Sequence, residues 1–323
     1  MTGKNATEVI AADAAGIARA ATILAGGGLV AVPTETVYGL AARADSPEAV
    51  ARIYAAKGRP DFNPLIVHVR DVEQAQRYAQ LSGVALDVAG GEWPGPLTLV
   101  LPLRADAGLA PAVSAGLPTV ALRCPAHPVM RHLLEQVDFP LAAPSANSSG
   151  FISPTRPEHV LASLDGRIEM VLDGGPCAAG VESTIIAIRE DGSWDELRPG
   201  PVDVETLRAR YGGARNKIGG ETPAGSIEAR IESPGQLASH YAPGKPVRLG
   251  ALDAEAGEFL IGFGDVAGDC TLSAAGELDE AAARLYDCLH LAAASEHSRI
   301  AVAPVPERGI GKAINDRLRR AAA

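Results

Sequence analysis

Two segments near the N-terminus combine hydroxyl groups, a carboxylate and cations with apolar runs that predict strands. P-T-E-T-V-Y-G-L at 33–40 follows a short strand predicted over 29–33, and K-G-R-P-D-F-N-P-L-I-V-H at 57–68 leads into another. The ends of strands in open sheets commonly face the crevice where ligands bind. Lys57 and Arg59 lie close together on a loop stiffened by prolines, a pairing that suits a polyphosphate. Singly, the threonines are also typical of a polar turn, and Lys57 of a cation at a helix C-terminus.

Two further arginines stand at predicted strand ends. Arg123 ends the alternating run T-V-A-L-R at 119–123, and Arg198 precedes a turn in L-R-P-G at 197–200. An arginine in such a position is often a surface charge. Its planar guanidinium is also the usual clamp for a carboxylate or a phosphate.

Small residues with hydroxyl groups form two more candidate segments. A-A-P-S-A-N at 142–147 continues to Ser153, and G-V-E-S-T at 180–184 places Ser183 at the mouth of another predicted strand. Small side chains let a ligand approach the backbone closely, while Ser145 and Asn147 offer hydrogen bonds. Each segment by itself is weak support for a binding site.

The charge balance narrows the ligand class. Lys and Arg number 29 against 39 Asp and Glu, so the formal net charge is −10. A nucleic-acid surface needs the opposite sign over a broad area. Four cations at strand ends of an acidic protein instead favour a small, highly anionic ligand. The sequence has no P-loop, no G-x-G-x-x-G and no G-x-S-x-G motif, so those nucleotide-binding and hydrolase chemistries are not expected.

The elements that position these residues predict an α/β (α+β) chain of two domains, since 323 residues exceed the size of most single cores. Helices and strands alternate up to about residue 211. Apolar, β-branched runs predict strands at 29–33, 65–69, 97–103, 119–123, 140–144, 170–173 and 183–188. Helical patterns occupy 8–25, 47–57, 72–81, 128–136 and 157–164.

The C-terminal part of the chain differs from the rest. Residues 212–245 are rich in Gly, Pro and Ser, and a segment this long without elements is typical of a linker or a covering loop. Residues 246–323 then repeat a strand–helix pattern. We predict a domain over 1–211, a linker or covering loop over 212–245, and a small Rossmann-like α/β domain over 246–323.

Cysteine usage and the N-terminus indicate the compartment. Four scattered cysteines predict neither a zinc site nor a disulfide framework. The N-terminus lacks the apolar core of a secretory signal, and no stretch is long and apolar enough to span a membrane. We therefore expect a soluble, cytoplasmic protein with no membrane partner.

Read together, the motifs resemble the YrdC-like family, and specifically the long-form L-threonylcarbamoyladenylate synthases. The resemblance implies a twisted mixed sheet with flanking helices, joined by a long linker to a small C-terminal domain. It covers nearly the whole chain in the order P-T-E-T-V-Y-G-L, K-G-R-P-x-x-N-P-L-I-V-H, W-P-G-P-L-T, T-V-A-L-R-x-P-x-H-P, A-A-P-S-A-N, D-G-G, G-V-E-S-T-I, R-P-G and H-Y-A-P.

Such a relationship implies an enzyme that converts ATP, L-threonine and bicarbonate, with Mg²⁺ accompanying the nucleotide, into threonylcarbamoyl-AMP and pyrophosphate. No tightly bound, protein-ligated metal is expected. The product would feed the downstream machinery that transfers the threonylcarbamoyl group to tRNA, and no strong direct nucleic-acid binding is expected. By motif match, the threonine site comprises Thr34, His68, Arg123, Ala143 and Ser183. The ATP site comprises Lys57, Arg59, Thr119, Ser145, Asn147, Ser153, Arg198 and Tyr241.

The chemistry implied needs no covalent protein intermediate, because two anions must be brought together and oriented. Lys57 and Arg59 are the candidate catalytic cations, and His68 is a candidate base. Residues 212–245 would fold over the site with Tyr241 against the nucleotide, although Q-L-A-S at 236–239 replaces the basic or aromatic residues of many relatives. The alternatives are an RNA-binding module, a carbamoyl-transfer relative, and a protein that holds nucleotide without turnover.

Overall fold

The computed structural model of the chain describes residues 6–60, 62–212, 232–235 and 240–323. Most of the predicted covering segment, including Q-L-A-S at 236–239, lies outside the described residues. Within them, one mixed sheet of ten strands and one parallel sheet of four strands organise the fold.

The ten-stranded sheet belongs to the N-terminal part of the chain, with strand order β1-β8-β2-β3-β7-β4-β6-β5-β9-β10. Its strands are β1 (Glu8–Ala11), β2 (Val30–Val32), β3 (Gly39–Arg43), β4 (Ile66–His68), β5 (Leu97–Pro102), β6 (Thr119–Arg123), β7 (Leu141–Ala142), β8 (Met170–Asp173), β9 (Thr184–Ile188) and β10 (Trp194–Arg198). The helices of this part are α1 (Ala14–Ala25), α2 (Pro47–Lys57), α3 (Val72–Ala75), α4 (Val84–Glu92), α5 (Pro111–Ser114), α6 (Pro128–Gln136), α7 (Pro157–Leu164) and α8 (Val204–Tyr211).

Side-chain alternation along the central strands separates a packed face from a face that carries polar groups. Val120 and Leu122 of β6 belong to the large apolar core, whereas Ala121 belongs to a small separate cluster. Successive side chains of a strand point to opposite faces, so Arg123 lies on the same face as Ala121. His68 of β4 is in register with Arg123. This face therefore carries apolar side chains in its middle and polar ones at one end.

Helix α2 confirms the helix predicted over 47–57, including its start signals. The Ser46 side chain accepts a hydrogen bond from the Ala49 amide, and Pro47 occupies the first turn. Gly58 ends the helix in the left-handed conformation, with φ of 60°, which glycine adopts without steric cost. This turn directs the chain from Lys57 into the loop that carries Arg59.

Two helix predictions are wrong in extent. The helix predicted over 8–25 begins only at Ala14, because Glu8–Ala11 pairs in parallel with β8 and the Asp13 side chain caps the helix. An edge strand of this kind is stabilised by a partner remote in sequence, which local helix propensity does not register. The helix predicted over 72–81 ends at Ala75.

The C-terminal part forms the four-stranded sheet, in the order β11-β14-β12-β13, with parallel neighbours throughout. Its strands are β11 (Val247–Leu249), β12 (Glu258–Gly262), β13 (Cys270–Thr271) and β14 (Arg299–Val302), and its helices are α9 (Leu278–Ala294) and α10 (Gly311–Ala321). None of the helices in the described ranges is long and apolar enough to cross a membrane.

The two parts share a packed interface. Val37 and Val181 of the N-terminal part belong to the same apolar cluster as Leu285 of α9. Gly180 has φ of +68°, and a Cβ added there would lie 2.3 Å from the carbonyl oxygen of Ala282 in α9. Only glycine permits this approach of backbone to helix. The C-terminal part is therefore seated directly against the G-V-E-S-T segment.

Candidate active site

A cavity of about 560 Å³, counting the open space at its mouth, lies where the polar end of the large sheet meets residues of the segment 212–245. Most of the predicted site residues line it, including one tyrosine from the segment 212–245. They are Thr34, Arg59, His68, Arg123, Ala143, Ser145, Ser183, Arg198 and Tyr241. Residues far apart in the chain therefore converge on one hollow.

Arg123 organises one end of this cavity. Its side chain is 4% exposed, and it donates to the Glu35 carboxylate at 2.6 Å and to the Thr36 hydroxyl at 2.9 Å. Burial raises the pKa of Glu35, but the charge and hydrogen bond of Arg123 outweigh burial and leave the pKa below its usual value. Thr34 donates to the Val37 carbonyl at 2.7 Å and accepts from the Thr36 amide at 3.2 Å. The threonines thus form a polar turn through local hydrogen bonds and, in the same conformation, line the cavity.

His68 lies beside Arg123 as a neutral group. It is 2% exposed, and its Nδ1 has no hydrogen-bond partner among the described residues. Burial, followed by the charge of Arg123, lowers its pKa to about 3. An imidazole with so low a pKa is a weak base at neutral pH, so the candidate role of His68 as a general base is not favoured. The unpartnered Nδ1 of this neutral imidazole is suited to a hydrogen bond with a ligand.

Arg59 and Arg198 line the cavity as buried cations. Arg59 donates to the backbone carbonyls of Asn63 (3.3 Å) and Pro64 (3.0 Å), and Arg198 donates to the Ser183 carbonyl at 3.1 Å. Neither comes within 4 Å of a carboxylate in the described part of the chain. Burial lowers the pKa of Arg59 to about 10 and also lowers that of Arg198. Buried charges are normally paired. Two buried arginines at this end of the cavity therefore favour the binding of an anion.

Lys57, which the resemblance places in the ATP site, is not among the residues that line this cavity. Its ammonium donates to the carbonyls of Ser145 at 2.6 Å and Asn147 at 2.5 Å, and to the Asn147 side-chain oxygen at 3.4 Å. An ammonium group has three N–H donors, and these acceptors use all of them. Asn147 in turn donates to the Phe151 carbonyl at 2.8 Å. In this structure Lys57 and Asn147 shape the loop that carries Ser145.

Thr119 and Ser153 are not among the residues that line this cavity. Thr119 begins β6, at the opposite end from Arg123, where it pairs with Pro102. Ser153 is fully buried behind the cavity wall, and its hydroxyl donates to the Glu182 carboxylate at 2.5 Å. Thr119 shares the face of Arg123 by alternation, whereas Ser153 forms a layer behind the wall.

Between Arg123 and Thr119 the same face of the sheet is apolar. Ile66, which lines the cavity, packs with Ala121 from β6. The remaining members of this small cluster are Val100, Ile185, Ala187 and the partly buried Leu197. Ile66 therefore joins the cavity to this apolar cluster, which we call the apolar floor.

Tyr241, near the end of the segment 212–245, forms one side of the cavity. It is 1% exposed and has φ of +63°, an uncommon conformation for a residue with a large side chain. The neighbouring Ala242 amide donates to the Gly150 carbonyl at 2.8 Å, and the His240 amide donates to the Arg320 carbonyl at 3.1 Å. Contacts on both flanks thus hold Tyr241 in place. Pro234 and Gly235 add further linker residues to the wall.

Glu182 is an acidic lining residue that the sequence analysis did not single out. It lies within the apolar surroundings of G-V-E-S-T-I, is 7% exposed and pairs with Arg317 of α10 at 2.8 Å. A carboxylate in a buried strand-like run was a usable signal, since such groups are almost always paired. Its partner lies 135 residues away, so the sequence alone could not name it.

Among the residues that the structure describes, no group of three or more His, Cys, Asp or Glu side chains could hold a metal ion. The Glu35 carboxylate at the cavity is already paired with Arg123. We therefore assign no residue here to a metal.

Comparisons with known proteins agree with this arrangement. Residues 22–200 match the family model Sua5_yciO_yrdC, described as telomere recombination, and residues 202–323 match the threonylcarbamoyl-AMP synthase C-terminal domain. The chain is 40% identical to the threonylcarbamoyl-AMP synthase of Bacillus subtilis, with 95% of this chain and 92% of the relative covered. It is 38% identical to that of Pyrococcus abyssi, with 94% and 92% covered.

A solved structure of Pyrococcus abyssi Sua5 complexed with L-threonine superposes with a TM-score of 0.85 at 35% identity. The superposition covers 98% of this chain and 96% of that one. The similarity thus extends over both sheets.

Proposed function

The chain belongs to the long-form Sua5 family of threonylcarbamoyl-AMP synthases, and from that membership we propose that it converts ATP, L-threonine and bicarbonate into threonylcarbamoyl-AMP and pyrophosphate. The observation that carries the proposal is the pair Arg59 and Arg198. Both are buried at one cavity without a described carboxylate partner within 4 Å. A polyphosphate supplies the negative charge that these guanidinium groups lack.

We place L-threonine at the end of the cavity that Arg123 organises. Its guanidinium would receive the threonine carboxylate while Glu35 and Thr36 hold it in plane. His68 is neutral, and its Nδ1 has no hydrogen-bond partner among the described residues. It would therefore contribute a hydrogen bond to threonine rather than a charge. Thr34 and Ser183 line the same wall, and Ala143 leaves room for a small side chain.

The nucleotide would lie across the other end, with its phosphates against Arg59 and Arg198. The apolar floor that begins at Ile66 and Ala121 offers a surface for the base. Thr119 stands at the far edge of that floor, so a role in ATP binding remains a proposal for it. Ser145 and Tyr241 would contact the nucleotide from the two sides of the cavity.

The proposed reaction joins two anions. The threonine amine attacks bicarbonate, water leaves, and a carbamate forms. A carbamate oxygen then bonds to the α-phosphorus of ATP while the bond from that phosphorus to the bridging oxygen of the β-phosphate breaks, and pyrophosphate leaves. Fixed guanidinium groups lower the electrostatic barrier and orient both partners. Mg²⁺ would accompany the nucleotide, and within the described residues no group of His, Cys, Asp or Glu side chains is suited to hold it on the protein.

A closed cavity protects the carbamate from water. Pro234, Gly235, His240 and Tyr241 all line the site from the segment predicted as a cover. Excluding water would limit carbamate loss and strengthen the contacts of the arginines. The covering role of the whole segment 212–245 stays a proposal, because most of it lies outside the described residues.

We also propose the domain boundaries predicted from the sequence, 1–211, 212–245 and 246–323. Helix α8 supports the first boundary, because Leu207 belongs to the large core and the Tyr211 hydroxyl donates to Glu92 at 3.0 Å. The Rossmann-like class of the C-terminal part, the cytoplasmic location and the delivery of product to the tRNA-modifying machinery remain predictions.

The test is formation of the acyl-adenylate. Purified protein is incubated with ATP, L-threonine and ¹³C-bicarbonate, and the nucleotide products are analysed by mass spectrometry. We expect a labelled threonylcarbamoyl-AMP and pyrophosphate that both require threonine. An Arg59→Met variant should form little product, whereas Arg52→Met, which removes an exposed arginine paired with Glu169, should behave as wild type. Nucleotide binding without product would favour a binding protein and contradict the proposal.

A further inference from the structure

We propose that Arg317, on the last helix, is a positioning residue that keeps Arg198 available for the nucleotide by neutralising Glu182. This inference rests on the proposed function for its kinetic consequences and on the geometry of the domain interface for its cause. It assigns the C-terminal part a direct task at the cavity.

Glu182 is a buried carboxylate with a complete set of partners. Arg317 donates to it at 2.8 Å, the Tyr286 hydroxyl donates at 2.9 Å, and Ser153 donates at 2.5 Å. Arg317 and Tyr286 both come from the C-terminal part and are both fully buried. Within the described residues, Arg317 is the one cation that pairs with Glu182 within 4 Å.

The same carboxylate belongs to the wall of the cavity. Glu182 lines the site and directly precedes Ser183, whose carbonyl and hydroxyl oxygens accept hydrogen bonds from Arg198 at 3.0 and 3.1 Å. Arg198 is therefore anchored one residue away from a buried negative charge. Arg198 is also a buried cation that has no carboxylate partner within 4 Å among the described residues.

These two facts predict a competition. A buried carboxylate must be compensated by a cation, because an unpaired charge in a protein interior is costly. If Arg317 is removed, Arg198 is the nearby cation able to turn toward Glu182. Arg198 would then be withdrawn from the phosphates. Arg317 thus acts on the nucleotide through another residue and without touching it.

A second contact points the same way. The guanidinium carbon of Arg317 lies 5.6 Å from the centre of the Tyr241 ring, which closes the cavity. A cation over an aromatic face is attracted by the ring, and more strongly when both groups are removed from water. One side chain of α10 therefore interacts with two lining residues, Glu182 and Tyr241, and Tyr241 is one of those proposed to contact the nucleotide.

The experiment compares Arg317→Met with Arg319→Met, which removes an exposed arginine of the same helix paired with Glu307. Affinity for a non-hydrolysable α,β-methylene ATP analogue and for L-threonine is measured by calorimetry, and KM values are measured by product formation. We expect Arg317→Met to weaken analogue binding about tenfold or more, as expected for a lost buried charge contact. Threonine affinity should change less than about threefold, and Arg319→Met should match wild type.

The decisive variant is the double substitution Glu182→Gln with Arg317→Met. Because the competing carboxylate is gone, Arg198 is released, and analogue affinity should return to within about threefold of wild type. A double variant that binds no better than Arg317→Met would overturn the proposal. So would an Arg317→Met variant with unchanged nucleotide affinity, or one that loses threonine and nucleotide affinity equally.

Folding and function are kept separate by two further measurements. Should Arg317→Met not fold, Tyr286→Phe removes one donor to Glu182 at constant ring size and should weaken analogue binding in the same direction to a smaller extent. An unchanged affinity in Tyr286→Phe would then count against the proposal. If wild-type protein forms no threonylcarbamoyl-AMP, the proposed function fails, but the analogue affinities still test the competition for Arg198.

Discussion

Arg123 and Glu35 form an ion pair of 2.6 Å in the wall of the cavity, so the guanidinium that faces the site is already oriented before a substrate arrives. Its other terminal nitrogen donates to Thr36 at 2.9 Å, and its Nε lies 3.4 Å from the Gly95 carbonyl. A planar donor with three fixed anchors presents a defined edge to a carboxylate. Position and plane, as well as charge, are therefore set by the protein.

This orientation predicts the effect of Arg123→Lys. Lysine keeps the charge but cannot donate to Glu35 and Thr36 while holding a ligand in one plane. Loss of a charge-assisted contact is worth about 1.5–3 kcal/mol, so we expect the KM for L-threonine to rise about tenfold or more with the KM for ATP nearly unchanged. Steady-state kinetics against Arg104→Lys, an exposed arginine paired with Asp106, is the measurement. Equal increases in both KM values would contradict the assignment of this end to threonine.

His68 predicts a simple pH dependence. Its pKa is lowered from 6.5 to about 3 by burial and by Arg123, so it stays neutral throughout the range near pH 7. Between pH 5.5 and 8 the kcat/KM profile of His68→Gln should therefore keep the wild-type shape, at a lower level for threonine. A limb present in wild type and lost in the variant would instead identify His68 as the general base.

The same group carries a stability prediction. Below about pH 6.5 the unfolded chain binds a proton that folded His68 does not, so this histidine costs stability as the pH falls from 6.5 toward 3. The melting temperature of His68→Gln relative to wild type should consequently rise between pH 7.5 and pH 5. Thermal denaturation at several pH values measures this difference, and a constant difference would show that folded His68 titrates normally.

Arg59 and Arg198 predict how ATP affects thermal stability. Methionine at either position removes the desolvation cost of a buried charge but leaves backbone carbonyls without their donor, so the change in melting temperature on adding ATP is the measurement. ATP should raise the melting temperature of wild type and leave both variants unchanged. The exposed Arg52→Met serves as control. A preserved shift with ATP in either variant would show that its arginine does not meet the nucleotide.

Lys57 predicts a loss of folding stability. Lys57→Met leaves the carbonyls of Ser145 and Asn147 without their donor, which costs about 1–3 kcal/mol per buried group, so the free energy of unfolding should fall by about 2–5 kcal/mol. Denaturant unfolding measures this loss. Lys245→Met is the matched control for the KM of ATP. Lys245 likewise donates to backbone carbonyls, those of Ala292 and Ser295, but it lies away from the cavity. Unchanged stability with a large increase in the KM for ATP would indicate that Lys57 contacts phosphate directly.

Much of the site could be predicted because its signals are local. Ser46 and Pro47 mark the start of α2, and Gly58 marks its end, so the loop with Arg59 follows from neighbouring residues. The alternation in β6 likewise places Arg123 on the face opposite Leu122. Short-range sterics and periodicity decide such features, and these are written in adjacent positions.

Other features depend on partners that are remote in the chain. Glu8–Ala11 became a strand because β8 lies beside it, and Lys57 turned inward because the Ser145 loop offered carbonyl acceptors. Residue type and spacing identified the cations but not the groups to which each of them donates hydrogen bonds. That outcome depends on burial, which only packing sets.

The amino-acid sequence by itself determined the class of ligand, the order of the motifs and the family. Only the tertiary structure decided that Arg59, Arg123 and Arg198 share one cavity, and that Glu182 meets Arg317 across 135 residues. The physical reason is that hydrogen-bonding capacity and charge are properties of a residue. Whether a charge is paired, solvated or left for a ligand is a property of the space around it.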